Sequence, residues 1–163
     1  MIVAQSQFKG WGKMVDPPKL TSQQWNLAGL LGVIFIVMAV LQIISFSDFK
    51  DWLSQVGIDS PATCAVILIV AELWAALGFF KLKLMLGFRA ISALLAVLVS
   101  GFWFVENLRL VSEGQAGTLT SSGFFGGFLE QSPGWWTVIE SALLLFWVIY
   151  TLNLTKGYYT KAQ

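Results

Sequence analysis

The sequence contains no histidine and only one cysteine, Cys64, among its 163 residues. Without histidine, zinc, haem and Ser/His/Asp sites lose their commonest ligand or base. A single thiol can form neither an internal disulfide nor a CxxC redox pair. No phosphate-cradling glycine loop or nucleotide fingerprint is present, so no cofactor or metal site is evident. These absences argue against an independent enzyme without excluding one.

Charge is also scarce. Charged residues make up 12% of the chain and the net charge is +1, which gives no long-range field for nucleic acid. The hydrophobic fraction is 56%. A soluble domain of this size could not bury so much apolar surface. The composition therefore predicts an integral membrane protein.

Four apolar runs are long enough to cross about 30 Å of hydrocarbon. In lipid the backbone must satisfy its own hydrogen bonds, so each run is predicted to be a helix. The fold class is therefore an all-α, four-transmembrane-helix bundle, spanning 25–154, between a cytoplasmic N-terminal tail (1–24) and a cytoplasmic C-terminal tail (155–163). The predicted helices are about 25–46, 62–80, 84–105 and 135–154.

The basic residues predict the orientation. Eight of the ten fall on one side of the predicted membrane and two on the other. By the positive-inside rule, both termini and the turn between the second and third helices should be cytoplasmic. The cytoplasmic set is Lys9, Lys13, Lys19, Lys81, Lys83, Arg89, Lys156 and Lys161, and the outer set is Lys50 and Arg109.

The first outer connection predicts a short amphipathic helix. Its apolar residues recur at helical spacing, with Ser47 as the candidate N-cap and Gly57 as the candidate stop. Two interpretations are equally compatible: a helix lying in the membrane interface, or a helix that caps the bundle. The apolar positions are Phe49, Trp52, Leu53 and Val56.

The second outer connection, 107–134, is long and rich in glycine and aromatic residues. Aromatic rings on a flexible backbone are typical of the headgroup region, and simple anchoring there is the favoured interpretation. The alternative is a loop that dips toward the bundle or meets a partner. Close helix packing is predicted at small residues, namely Ala28, Gly32, Ala65, Ala75, Ala76, Ser92, Ala96 and Ser100.

Glu72 is the most informative residue, because it lies near the middle of the second predicted helix and hence near the bilayer midplane. An ionised carboxylate is costly there, so Glu72 should face the bundle interior and be paired or protonated. It could serve a proton relay, a ligand contact or a quinone-like head group. It could equally be structural, as a protonated Glu bonded to a neighbouring helix.

Other polar and aromatic residues extend this candidate site. If Gln42, Glu106 and Glu140 face inward, a polar funnel would open outward with Glu72 at its floor, although Glu106 is better placed among hydrated headgroups. Trp74 and Trp147 could line a cavity, although lipid contact or core packing is the favoured interpretation. Trp103 is expected in the interfacial belt. Arg89 is expected to extend to the interface. The candidate ligand or proton residues are Glu72, Glu140, Gln42 and Trp74.

The stretch from Gly29 to about Leu110 resembles the DoxX-like superfamily of small four-helix membrane proteins, including its MauE-like branch. The shared pattern begins with Gly-Leu-Leu-Gly-Val-Ile-Phe (29–35) and the amphipathic segment 49–57. It continues with a Pro-initiated helix carrying Ala71-Glu72-Leu73 and Gly78, and with a basic turn before an Ala/Leu-rich helix. This chain departs from the family pattern because it has no cysteine pair, which puts direct disulfide chemistry in doubt.

The resemblance implies an accessory or structural subunit of a membrane-bound redox system, in a bacterial inner membrane or an organellar equivalent. Glu72 would then contact a quinone, a lipid or a partner helix, and the partners would be the bilayer and other membrane subunits. Two alternatives remain: a small proton-coupled transporter or permeation unit using Glu72 and Glu140, and a purely structural scaffold. The absence of repeats and broken helices weakens the transporter hypothesis.

Overall fold

The computed structural model describes residues 12, 14–129 and 131–155 of the chain. Within them lie five helices, four of which are long and apolar enough to cross a membrane. This confirms the predicted set of four apolar helices with a short helix after the first. The helices are α1 (Ser22–Ile44), α2 (Phe46–Gln55), α3 (Pro61–Phe79), α4 (Leu86–Ser112) and α5 (Trp135–Leu154).

Local sequence explains where the helices begin. Thr21 and Gln24 form a capping box, since each side chain accepts the backbone N–H of the other residue, and α1 therefore begins before the predicted Trp25. Pro61 occupies the first turn of α3, where its missing N–H is not needed. At 27 residues α4 is longer than predicted, because it continues through the polar residues that follow Val105.

The four long helices form a bundle in which α1 packs on α3, α3 on α4 and α4 on α5. Small residues permit these approaches, and all the predicted ones are buried. A Cβ on Gly78 of α3 would lie 2.6 Å from Cβ of Ser92 on α4. A Cβ on Gly32 of α1 would lie 3.1 Å from the carbonyl oxygen of Ala76 on α3. These are the close backbone approaches typical of membrane helices.

The outward faces of the long helices are apolar. Soluble bundles carry polar residues there, whereas a helix that is apolar all round is buried or spans a membrane. The outward faces therefore suit an apolar solvent. Residues that are more than half exposed include Ile67 on α3, Leu94 and Leu98 on α4, and Leu143 and Phe146 on α5.

The short helix α2 caps one end of the bundle, called here the loop end. Phe49, Trp52 and Leu53 are buried against the other helices, which decides between the two interpretations of this segment. The predicted N-cap, Ser47, is wrong, because α2 begins at Phe46 and Ser47 lies in its first turn. The predicted stop at Gly57 is confirmed: its φ is +89°, a conformation that favours glycine.

At the opposite end, called here the turn end, two short strands pair. The strands β1 (Met14–Val15) and β2 (Leu84–Met85) form an antiparallel ladder. Beside it Lys83 pairs with Asp16 at 2.8 Å, and this hydrogen bond raises the pKa of Lys83. Most of the two predicted tails lies outside the described residues, together with Lys9, Lys13, Lys156 and Lys161.

Arg89 does not extend to the surface as predicted. Its side chain is buried at the turn end, where Nη1 donates to the carbonyl of Gly78 at 3.1 Å and Nη2 to that of Leu82 at 2.7 Å. Carbonyls at and beyond the end of α3 lack intrahelical donors. The guanidinium supplies those donors and fixes the turn between α3 and α4.

Candidate functional site

The candidate site is centred on Glu72, whose side chain is fully buried in the middle of α3. Its Oε1 accepts a hydrogen bond from Nε2 of Gln42 on α1, at 3.0 Å. The same oxygen accepts a hydrogen bond from the indole Nε1 of Trp103 on α4, also at 3.0 Å. Glu72 therefore joins three helices through one carboxyl oxygen. The structure thus brings together two of the four candidate residues, Glu72 and Gln42.

Two oxygens of this cluster have no hydrogen-bond partner among the described residues, namely Oε2 of Glu72 and Oε1 of Gln42. A neutral carboxylic acid carries a proton that can be donated, and a carboxamide oxygen can accept it. If Oε2 carries that proton, Glu72 accepts hydrogen bonds at Oε1 and has a donor at Oε2. Because an ionised carboxylate at this depth is costly, we expect Glu72 to be a neutral acid.

Trp103 is the residue that the sequence interpretation missed. The sequence predicts a place in the interfacial belt, but the Trp103 side chain is fully buried. One signal could have placed it correctly: Ser92, Ala96, Ser100 and Trp103 follow one another at steps of four, four and three residues. Such steps keep residues on one helix face. The small-residue face of α4 therefore leads directly to Trp103.

An aromatic cluster surrounds Trp103 on the side of the loop end. Its ring lies 5.7 Å from that of Trp52 and 6.1 Å from that of Phe49, both on α2. The ring of Phe124, from the connection between α4 and α5, lies 5.5 Å away at an angle of 62°. Aromatic pairs prefer ring centroids at such distances and edge-on arrangements of this kind. The capping helix and the loop thus close the bundle directly over the Glu72 cluster.

Short hydrogen-bonded contacts hold the loop in place. Its strand β3 (Phe124–Gly127) lies against the last turn of α1. Gln42 Nε2 also lies 3.4 Å from the carbonyl oxygen of Phe124, and the N–H of Gly127 donates to Oγ of Ser45 at 3.0 Å. The favoured prediction, simple anchoring in headgroups, is therefore wrong for this part of the loop. The alternative, a loop that dips toward the bundle, is what the structure has.

Glycine makes that approach possible. Gly123 has a φ of +75°, and a Cβ there would lie 2.5 Å from Cε3 of Trp52. The backbone thus lies directly on the indole ring. Beyond β3 the chain returns to the surface, where the aromatic residues are exposed: Phe128 by 56%, Trp135 by 68% and Trp136 by 65%.

The predicted polar funnel is not present. Glu140 lies apart from the Glu72 cluster and accepts a hydrogen bond from Nε2 of Gln131 at 2.9 Å. Glu106 pairs with Arg109, whose Nη2 also donates to the carbonyl of Val56 at 2.8 Å. That arrangement joins α4 to the end of α2. Gln42 and Glu72 are both fully buried, so the described residues leave neither side chain open to solvent.

Trp74, the fourth candidate, lies apart from the Glu72 cluster as well. Its indole stacks on Phe88 of α4, with ring centroids 5.0 Å apart and an interplanar angle of 18°. Its Nε1–H has no partner among the described residues. The stacking makes Trp74 a contact between α3 and α4 rather than part of the carboxyl cluster.

One apolar groove of about 370 Å³ lies between α3 and α4 near the loop end. Cys64 lies in its wall with Leu68 and Phe102. No cluster of three or more Asp, Glu, Cys or His side chains suited to a metal occurs in the described part of the chain.

The chain was compared with models of protein families, with curated proteins and with solved structures. None of the three comparisons finds a match. The resemblance to DoxX-like proteins is therefore neither supported nor contradicted by them.

Proposed function

We propose that this protein is a non-catalytic accessory subunit of a larger membrane assembly, in which Glu72 has a structural role. The observation that carries the proposal is the complete burial of Glu72 between donors from two other helices. A group that turns over protons or ligands needs a route to its partner. Glu72 is instead bonded to Gln42 and Trp103, and both are buried with it.

Membrane insertion and orientation are part of the proposal. The exposed apolar side chains around α1, α3, α4 and α5 suit lipid contact. Lys19, Lys81 and Lys83 lie at the turn end among the described residues, which favours that end as the cytoplasmic one. The exposed Trp135 and Trp136 at the start of α5 then fall at the outer interface, where tryptophan is enriched.

The type of assembly follows from the DoxX-like resemblance alone, which implies a membrane-bound redox system. A quinone head group would reach Glu72 only by displacing Gln42 or Trp103. It would also have to displace the loop above them that contains β3, called here the Phe124 loop. A partner helix on the outer surface of the bundle requires no such change. Contact with another subunit is therefore the better supported role, and quinone contact at Glu72 the less supported one.

Affinity purification from the host membrane in a lipid-preserving detergent tests the proposal. We expect the chain to elute with larger membrane subunits at a fixed stoichiometry. Glu72→Gln should retain that assembly and the activity of the complex, because an amide can accept the same two hydrogen bonds. Glu140→Gln is the matched control, a carboxyl-to-amide change outside the cluster.

Two results would contradict the proposal. A lone, monodisperse protein that carries protons or cations across proteoliposomes, and loses that transport in Glu72→Gln, would establish the transporter alternative. Loss of host activity in Glu72→Gln with assembly intact would also contradict a purely structural role for this carboxyl group.

A further inference from the structure

The turn end carries most of the positive charge of the chain. Eight of the ten basic residues belong to it or, in the sequence, to the two tails beside it, whereas Asp16 is its one acidic residue among nine. Apart from Glu72 in the middle of α3, the other acidic residues belong in the sequence to the loop-end half of the chain. The turn end is therefore the end suited to an anionic partner.

Two lysines of the turn end are open to such a partner. Lys19, before α1, and Lys81, after α3, are exposed and form no ion pair in the described part of the chain. Lys83 differs, because it pairs with Asp16 at 2.8 Å. The side chains of that pair are 70% and 77% exposed, so water and salt weaken it. Lys19 and Lys81 thus present ammonium groups to an external anion.

Exposed apolar side chains accompany these lysines. Met14 of β1 and its ladder partner Met85 of β2 are 65% and 45% exposed. Leu82, the residue after Lys81, is 43% exposed. All three lie close to the point where α3 ends and α4 begins, which is where these apolar helices would leave the hydrocarbon. Segments that lie in the membrane interface combine apolar and basic side chains in this way.

The backbone that carries these side chains is held by several contacts. The ladder of β1 and β2 fixes the segment before α1 against the turn between α3 and α4. Arg89 fixes the same turn through the carbonyls of Gly78 and Leu82. A partner that binds here would order little of the backbone, which lowers the entropic cost of binding.

We propose that the turn end is a docking surface for anionic phospholipids. Lys19 and Lys81 contact the headgroups, and the exposed side chains of the ladder and of Leu82 contact the adjoining acyl region. An acidic segment of a partner protein would pair with the lysines but would leave the apolar side chains in water, so a lipid fits better. The inference rests on the proposed membrane insertion, and it holds whether or not the chain assembles with larger subunits.

Competition between two lipids tests this surface. The full chain in detergent is mixed with equal amounts of phosphatidylglycerol and phosphatidylcholine, and native mass spectrometry counts the lipids bound. We expect an excess of bound phosphatidylglycerol that decreases as ionic strength rises. Replacing both Lys19 and Lys81 by Gln should lower that excess by about fivefold or more, since each lysine near an anionic surface contributes to the attraction.

Two control variants separate charge at this surface from other effects. Replacing both Lys19 and Lys81 by Arg should retain the excess, because the positive charges remain. Lys50→Gln removes a lysine from the loop end and should also leave the excess unchanged. Thermal unfolding of each variant establishes that it is folded.

The outcomes that overturn the proposal are distinct. Equal binding of the two lipids, an excess that the folded Gln double variant retains, or an equal loss in Lys50→Gln would each contradict it. Equal lipid binding together with lysine-dependent binding of poly-glutamate would assign the surface to an acidic protein partner instead. A chain that binds neither lipid contradicts the proposed membrane insertion, whereas equal binding of both lipids contradicts the docking surface alone.

Discussion

Trp103 on α4 donates its indole N–H to Oε1 of Glu72 on α3 across 3.0 Å, and both side chains are fully buried. Gln42 on α1 donates to the same oxygen. Three helices thus share one acceptor within an apolar bundle, where a donor that loses its acceptor cannot turn to water. The same three side chains lie beneath α2 and the Phe124 loop. Their hydrogen bonds therefore also stabilise the packing of α2 and this loop at the loop end.

Trp103→Phe should lower the free energy of unfolding by about 1 kcal/mol more than Trp74→Phe, because both variants lose part of the indole and only Trp103 loses a hydrogen bond. Trp74→Phe is the matched control, since the indole N–H of Trp74 has no partner to lose among the described residues. Thermal or denaturant unfolding in lipid nanodiscs measures both. Equal losses in the two variants would contradict a specific bond between Trp103 and Glu72.

Gly123→Ala should displace the loop from Trp52. The added methyl would lie 2.5 Å from the indole ring, and the φ of +75° is itself unfavourable for alanine. Gly117→Ala is the control, because Gly117 has the same φ of +75° but nothing within 4 Å of the added Cβ. We expect Gly123→Ala to increase proteolysis of the connection between α4 and α5 several-fold over Gly117→Ala. Equal cleavage would mean that the contact with Trp52 does not hold the loop.

Gly78→Ala should separate α3 from α4 at the turn end, since its Cβ would lie 2.6 Å from Cβ of Ser92. The expected cost is about 1–3 kcal/mol, as for other overpacked positions. Gly29→Ala, in α1 with nothing within 4 Å, should instead be neutral or slightly stabilising because alanine favours the helix. Unfolding temperatures in the same detergent compare the two. A Gly78→Ala protein as stable as Gly29→Ala would contradict the close approach of the helices.

The sequence predicted the features that depend on one-dimensional patterns. Apolar length located the four long helices, and the depth of Glu72 within α3 correctly predicted that its side chain faces the interior. Gln42 was correctly grouped with it, because both face inward at compatible depths. Proline at the start of α3 and glycine after α2 marked element ends for local reasons that need no tertiary contact.

The remaining features depend on how the helices rotate and on what the loop covers. Nothing local distinguishes a tryptophan in the interfacial belt from one turned inward, and so Trp103 was misplaced. To predict that Arg89 is buried, one must know that α3 ends beside it and leaves carbonyls that need donors. The Phe124 loop was misjudged because its glycines allow both an exposed and a packed conformation, and only the contact with Trp52 decides between them.

The central claim is that Glu72 stabilises the fold, and a series of substitutions at this one position tests it most directly. Unfolding in lipid nanodiscs should show Glu72→Gln within about 1 kcal/mol of the wild type, since the amide preserves both hydrogen bonds. Glu72→Leu should lose about 1–3 kcal/mol, because the indole N–H of Trp103 would then lack an acceptor and Gln42 would keep only its 3.4 Å contact with the carbonyl of Phe124. A Glu72→Leu protein more stable than the wild type would contradict the account and identify Glu72 as a group kept for function at the expense of stability.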